Sequence, residues 1–140
     1  MEAKWVGRMM ELAALVASWS KDPSTRVGAV IVDPFNRVVG TGYNGLPRGV
    51  EDTVERLSNR SLKYAMIVHS EVNAVLNSLH EPRGCALFVT KFPCNECCKV
   101  IIQAGIRTVY APPETDERWL EASRISMMML AEAGVQVHHP

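Results

Sequence analysis

Two short stretches carry residue types that can do chemistry: His69-Ser70-Glu71 and Pro93-Cys94-Asn95-Glu96-Cys97. A catalytic zinc takes three protein ligands and keeps a fourth tetrahedral position for water, and His69, Cys94 and Cys97 supply that count. Cys94 and Cys97 stand at i and i+3 on what reads as the opening turn of a helix, so their side chains face the same way and can share one metal. A helix start also offers partial positive charge and free N–H groups, which favour the thiolate forms that zinc needs. Two thiolates neutralise the dication, so the metal acts less forcefully on its water than it would with three neutral imidazoles. Glu71 is placed to help as a base, taking the water's proton and handing it on. The chemistry to expect is metal-assisted hydrolysis.

Each half has bland readings when taken alone. His-x-Glu is common by chance, and Pro-Cys-x-x-Cys also fits half of a structural zinc site, a redox pair or two buried thiols. Together, in this order and each at a helix start, they point to a catalytic metal. A closed structural site would need a fourth ligand, for which His80, Cys85 and Cys98 are the candidates. Cys98 follows Cys97 directly and so points about 100° away around the helix. Cys85, at a strand start, and Cys98 read as buried apolar thiols.

The elements that must position these residues follow from periodicity. Trp5, Met9, Leu12, Val16 and Trp19 make one apolar stripe of a helix from Glu2 to Ser20, which Asp22-Pro23 ends. Val27 to Val32 reads as a strand, Asp33-Pro34-Phe35-Asn36 as a turn and Arg37 to Tyr43 as a second strand. Gly40 to Gly49 reads as a glycine-rich loop needing positive φ; no Gly-Lys-Ser/Thr follows it and no helix opens behind it, so it is neither a P-loop nor a dinucleotide fingerprint. Glu51 to Lys63 is expected to be exposed and partly helical, and Tyr64 to Leu79 a helix with His69 and Glu71 near its beginning. Strands at Ala86 to Thr90 and Ile106 to Ala111 bracket a helix from Asn95 to Ala104, and a helix over Glu117 to Ala133 leads to an edge strand at Val135-Gln136-Val137. A hairpin followed by alternating helices and strands predicts a mixed sheet with helices on both faces, a three-layer α/β/α architecture.

At 140 residues the chain fits a single domain over residues 1–140. Hydrophobic residues are 47% and charged residues 21%, the balance of a globular protein and not of a disordered one. No apolar run is long enough to span a bilayer and no signal peptide is recognised, which makes the cytoplasm the default compartment. Fifteen basic and fifteen acidic residues cancel, without the excess that accompanies binding to a nucleic-acid backbone. Disulfides are not expected in that compartment.

The order His-x-Glu then Pro-Cys-x-x-Cys is the signature of zinc deaminases of nucleobases. With it, Ser20 to Val32, Gly42-Tyr43-Asn44-Gly45-Leu46-Pro47-Arg48-Gly49, Phe92-Pro93-Cys94 and Ile101 to Ile106 resemble the deoxycytidylate deaminases of the cytidine deaminase superfamily, a likeness running from about Trp5 to Val109. The resemblance implies the cytidine-deaminase-like fold with a mixed five-stranded sheet, one catalytic Zn2+ and hydrolytic conversion of dCMP to dUMP. It makes His69, Cys94 and Cys97 zinc ligands and Glu71 the proton shuttle. It puts Asn44 on the deoxyribose, Arg26 with Ser24 on the phosphate and Phe92 against the pyrimidine. It further implies a homo-oligomer, often a hexamer, activated by dCTP and inhibited by dTTP, with Mg2+ accompanying the effector nucleotide. Gly42 to Gly49 is the segment to examine for such an effector. The run Met127-Met128-Met129-Leu130 independently suggests association, since it spreads apolar groups around most of a helix turn.

Three places depart from the pattern. Ser70 stands where alanine is usual, Val50 to Lys63 lacks the cysteines of a second, structural zinc, and Glu114 to Trp119 is unlike the usual segment after the fourth strand. A 5-substituted dCMP, or another free nucleoside or nucleobase, is the alternative substrate; a deaminase acting on nucleic acid and a non-catalytic zinc module are the other readings.

Overall fold

One mixed sheet carries the molecule, described by a computed structural model of residues 1–140. In chain order the elements are α1 (Ala3–Ala17), β1 (Gly28–Val32), β2 (Val38–Tyr43), α2 (Val54–Ser58), α3 (Arg60–Met66), α4 (Ser70–Leu76), β3 (Ala86–Val89), α5 (Asn95–Gln103), β4 (Thr108–Tyr110), α6 (Leu120–Glu132) and β5 (Gln136–His138). The strands lie in the order β2-β1-β3-β4-β5, with β1 antiparallel to β2 and β3, and with β3, β4 and β5 parallel. The antiparallel pair needs only a tight turn, which the Asp33 carboxylate builds by accepting from the N–H groups of Phe35 and Arg37, while Asn36 takes a positive φ. The parallel strands are joined through α5 and α6, as parallel neighbours require.

Alternation along the strands divides the core between two faces. Val30, Val32, Phe88 and Tyr110 pack under α1 with Met9, Ala13 and Val16. Ala29, Ile31, Leu87, Val89 and Val109 pack on the other face with Ala74 of α4, Ile101 of α5 and Leu130 of α6. This is the three-layer α/β/α arrangement expected, and the second face carries the helices that bear the chemistry.

Several expectations are corrected by tertiary contacts. Gly40 and Gly42 belong to β2 and have ordinary φ, so they do not serve a loop. A Cβ on Gly42 would lie 2.3 Å from the Ala74 nitrogen and 2.5 Å from the Ser70 oxygen, which shows that glycine here lets α4 press directly onto the strand. The expected helix over Tyr64 to Leu79 is broken at Ile67-Val68, because Val68 pairs with Gly45 through two backbone hydrogen bonds of 2.8 and 3.1 Å. Leu76 and Leu79, counted into its apolar face, are exposed. Trp19 likewise lies past the end of α1 and sits edge-on against Tyr43 instead of joining the buried stripe. The segment Glu51 to Lys63 is two short helices, and it is not wholly exposed: Leu57 and Lys63 are buried. The last helix starts in a 3₁₀ turn, Glu117–Trp119, capped by the Asp116 side chain. No helix is long and apolar enough to cross a membrane.

Candidate metal centre and its cavity

The helix break at Val68 decides where His69 stands. Released from α3, it takes an extended backbone as the N-cap residue of α4, and Glu71 falls in that helix's first turn. Cys94 is the N-cap residue of α5, just beyond the carboxyl end of β3, and its Sγ accepts from the Cys97 N–H. Two helix starts thereby meet, outside the end of a parallel strand where α/β sheets place ligands.

His69 Nδ1 lies 3.2 Å from Cys97 Sγ and 3.4 Å from Cys94 Sγ, and the three donor atoms are within 4.8 Å of one another. Zinc bonds of about 2.0 Å to nitrogen and about 2.3 Å to sulfur put tetrahedral neighbours about 3.5 Å apart, so the donor set fits that ion. Its electrostatics fit as well. A hydrogen bond from the Cys97 thiol, with help from His69, pulls the Cys94 thiol down to about 4 against the effect of burial. Cys97, as the donor and itself buried, is pushed up. The hydrogen bond to Cys94 raises His69. Two thiols beside one imidazole compete to carry a single negative charge, and a dication relieves that competition by stabilising both thiolates.

Glu71 is 4% exposed at the floor of the site, so its carboxylate touches little solvent. Burial pushes its carboxyl up, and the Ser70 hydroxyl, donating to Oε1 at 2.6 Å, works in the opposite direction. Cys98 and Cys85 are buried free thiols outside the donor cluster, Cys98 being pushed up to about 11 chiefly by burial. His80 is exposed and bonded to the Glu81 carbonyl.

These groups open onto a cavity of about 370 Å³, within the range of small-molecule sites. His69, Glu71 and Cys94 form its metal wall, and Lys63 and Tyr64 of α3 line it together with Trp119, Ala122, Ser123 and Ser126. The last four residues recur at i, i+3, i+4 and i+7, one stripe of α6 and its leading turn.

Residues 3–112 match the family model for the cytidine and deoxycytidylate deaminase zinc-binding region. The chain belongs to that deaminase family. An uncharacterised deaminase from the luxG 3′ region of Aliivibrio fischeri is 46% identical over 98% of this chain and 94% of its own length. Human deoxycytidylate deaminase is 46% identical over 76% of the chain, and the match covers 63% of the human protein. Among solved structures, the dCMP deaminase of cyanophage S-TIM5 in complex with dCMP and dUMP superposes with a TM-score of 0.81 at 26% identity, covering 100% of this chain and 99% of the phage chain.

Within this deaminase the residues expected to hold substrate are scattered. Phe92 lines the cavity and is also part of the core. Asn44 lines it too, but its amide is already engaged: Oδ1 accepts from Val27 N at 2.9 Å, and Nδ2 donates to the Thr25 carbonyl at 2.9 Å and to Asp22 Oδ2 at 3.3 Å. Arg26 and Ser24 are not among the lining residues. Arg26 reaches back to the Asp22 carbonyl, and the Ser24 hydroxyl accepts from Lys63 Nζ at 2.7 Å.

Two lysines in the cavity wall escaped the sequence reading. Lys63 is buried and bonded to Asp22 Oδ1 at 3.1 Å, forty-one positions away in the chain, so no local pattern announces it. Burial alone would raise the Asp22 carboxyl; the N–H groups of Ser24 and Thr25 and the Lys63 ammonium outweigh it and hold that carboxyl below its ordinary range. Lys91 is exposed at the rim and has no ion-pair or hydrogen-bond partner for its side chain within 4.0 Å. Its position just before Phe92-Pro93-Cys94 was the available signal.

Proposed function

We propose that this chain is a single-domain, zinc-dependent deaminase that hydrolyses dCMP to dUMP and ammonia. The observation that carries the reading is the convergence of His69, Cys94 and Cys97 within 4.8 Å, beside the buried Glu71, on a cavity of nucleotide size. Relatives named as deoxycytidylate deaminases, and a phage dCMP deaminase seen with dCMP and dUMP, support the choice of pyrimidine nucleotide.

In this reading His69 Nδ1 and the two thiolates would hold the zinc, which when bound would supply Lewis-acid activation of a water. Glu71 accepts the proton that this water gives up as its oxygen bonds to C4, donates a proton at N3, and carries a further proton from the oxygen to the departing amine. The C4–N bond breaks, a C4 carbonyl forms, and water has been divided between product and ammonia. Ser70 holds Oε1, which keeps the carboxylate in one orientation through these transfers. Asn44 retains one lone pair on Oδ1 for a deoxyribose hydroxyl. Phe92 offers an apolar edge to the ring. Lys91 is a better phosphate partner than Arg26 or Ser24, because it lines the cavity and its charge is unpaired.

Association into a homo-oligomer is supported by the exposure of Met127, Met128, Leu76 and Leu79, although Leu130 of the methionine run is buried. A cytoplasmic enzyme of deoxynucleotide metabolism, regulated by dCTP and dTTP with Mg2+, extends the same reading.

The test is a spectrophotometric assay on zinc-quantified protein with dCMP, CMP, deoxycytidine and 5-methyl-dCMP, each with and without dCTP, dTTP and Mg2+. Strong preference for dCMP is expected. Turnover restricted to a nucleoside or a modified nucleotide would keep the metal chemistry and overturn the substrate. Zinc binding without turnover on any of them would favour the structural module.

A further inference from the structure

The polar side chains around the cavity differ in how much hydrogen-bonding capacity they have left. Asn44 has committed both its amide protons to protein acceptors, and Lys63 is bonded to Asp22 and Ser24. Asn95 is only half committed. It is the first residue of α5, next to the metal-side Cys94, and it lines the cavity. Its Oδ1 accepts from the Ser126 hydroxyl at 2.6 Å, while its Nδ2 has no protein partner. Ser126 is fully buried on α6, on the stripe that faces the cavity. This hydrogen bond, between residues thirty-one positions apart and with a buried donor, fixes which end of the amide is left free. An amide nitrogen carries two N–H donors.

We propose that Asn95 is a substrate-recognising residue, presenting its amide N–H groups to an oxygen acceptor of the bound nucleotide, and that Ser126 is its positioning residue. The inference rests on the nucleotide-deaminase reading above and deepens it. A ring carbonyl and a phosphate oxygen share the required acceptor chemistry, and an amide held from behind by a buried hydroxyl reads either one without adding charge. Nothing else in the protein uses this donor, which leaves it free for a ligand in the cavity.

The experiment uses the zinc-loaded protein and the variants Asn95→Ala, Asn95→Asp, Ser126→Ala and the Asn95→Ala/Ser126→Ala pair. Affinity for dUMP is read by calorimetry, KM and kcat for dCMP and deoxycytidine by assay, and zinc per chain by metal analysis. Asn95→Ala is expected to weaken dUMP binding and raise KM for dCMP about tenfold, the size of one hydrogen bond, with zinc content unchanged. Asn95→Asp, which keeps the acceptor for Ser126 but turns the presented donor into an acceptor, should weaken binding more than Asn95→Ala. Ser126→Ala should raise KM by a few-fold with kcat within twofold, and should add nothing in the Asn95→Ala background. An effect that persists with deoxycytidine assigns the acceptor to the ring; one confined to dCMP assigns it to the phosphate. Unchanged dUMP affinity and KM in Asn95→Ala, zinc loss in parallel with any defect, or additive effects of the two substitutions would overturn the inference. Wild-type turnover of dCMP, measured alongside, reports separately on the function itself.

Discussion

Two groups of residues that line the cavity are built in different ways. On the metal wall, every group that could meet zinc or move a proton comes from two short motifs, each at a helix start, which packing brings together across twenty-five and twenty-eight positions. In the rest of the lining, Lys63 is held by Asp22, and Ser126 meets Asn95, across separations of forty-one and thirty-one positions and with no motif to mark either pair. Both groups depend on the fold to bring their members together, but the second has no contiguous motif, which makes it the natural place for substrate preference to vary.

The sharpest test of the contrast is a substitution confined to the metal wall. Glu71→Gln should lower kcat by about a thousandfold, in line with the loss of a general acid–base, while metal analysis still finds one zinc per chain. Loss of zinc would show that the carboxylate belongs to the binding set and not to proton transfer.

Next in size is the buried pair of Lys63 and Asp22. Asp22→Asn or Lys63→Met should each destabilise the fold by about 3–5 kcal/mol in urea unfolding, because either leaves an unmatched charge or donor in the interior. The pair's contribution follows pH in a fixed direction. Asp22 is held below its ordinary value of 3.8, so its ion pair stabilises fully above that value and is lost as pH falls through the lower folded value. The stability gap between wild type and Asp22→Asn should accordingly narrow on acidification below that value and stay constant near neutrality. A gap that widens in acid would contradict the assignment.

Gly42→Ala should blur the contrast, because α4 serves the metal wall but rests on the sheet. The added methyl would sit 2.3 Å from the Ala74 nitrogen, and displacing α4 should cost about 1–3 kcal/mol of stability and lower kcat through Glu71. Full activity with a lower melting temperature would mean that α4 repacks without moving its first turn.

The smallest effect is expected at Lys91, exposed on the rim. Lys91→Met should raise KM for dCMP about tenfold, leave deoxycytidine unaffected and make the dCMP reaction less sensitive to salt. An equal effect on the nucleoside would remove Lys91 from the phosphate.

Much of this could be read from residues in order. The apolar stripe of α1, the β1–β2 hairpin with its Asp33 to Asn36 turn, the glycine after α5 and the two metal motifs follow from local rules: side-chain period, turn chemistry and helix-start geometry act over a few residues. Gly42 misled because a glycine that frees the backbone and a glycine that makes room for a helix look the same in a sequence. The Tyr64 to Leu79 stretch misled because its apolar spacing is helical throughout, yet a pairing between Val68 and Gly45 overrides it.

The candidate metal donors, the order of the strands along the chain and the three-layer architecture were legible in neighbouring residues, because donor count, i and i+3 spacing and hydrophobic period are local properties. Packing between distant segments fixed that the preceding helix would stop before His69, that Lys63 would be buried and Lys91 left without a partner, and that Asn95 would line the cavity bonded to Ser126. Those outcomes depend on which distant segments compete for the same hydrogen-bonding groups, and that competition is settled only when the sheet and its helices have packed.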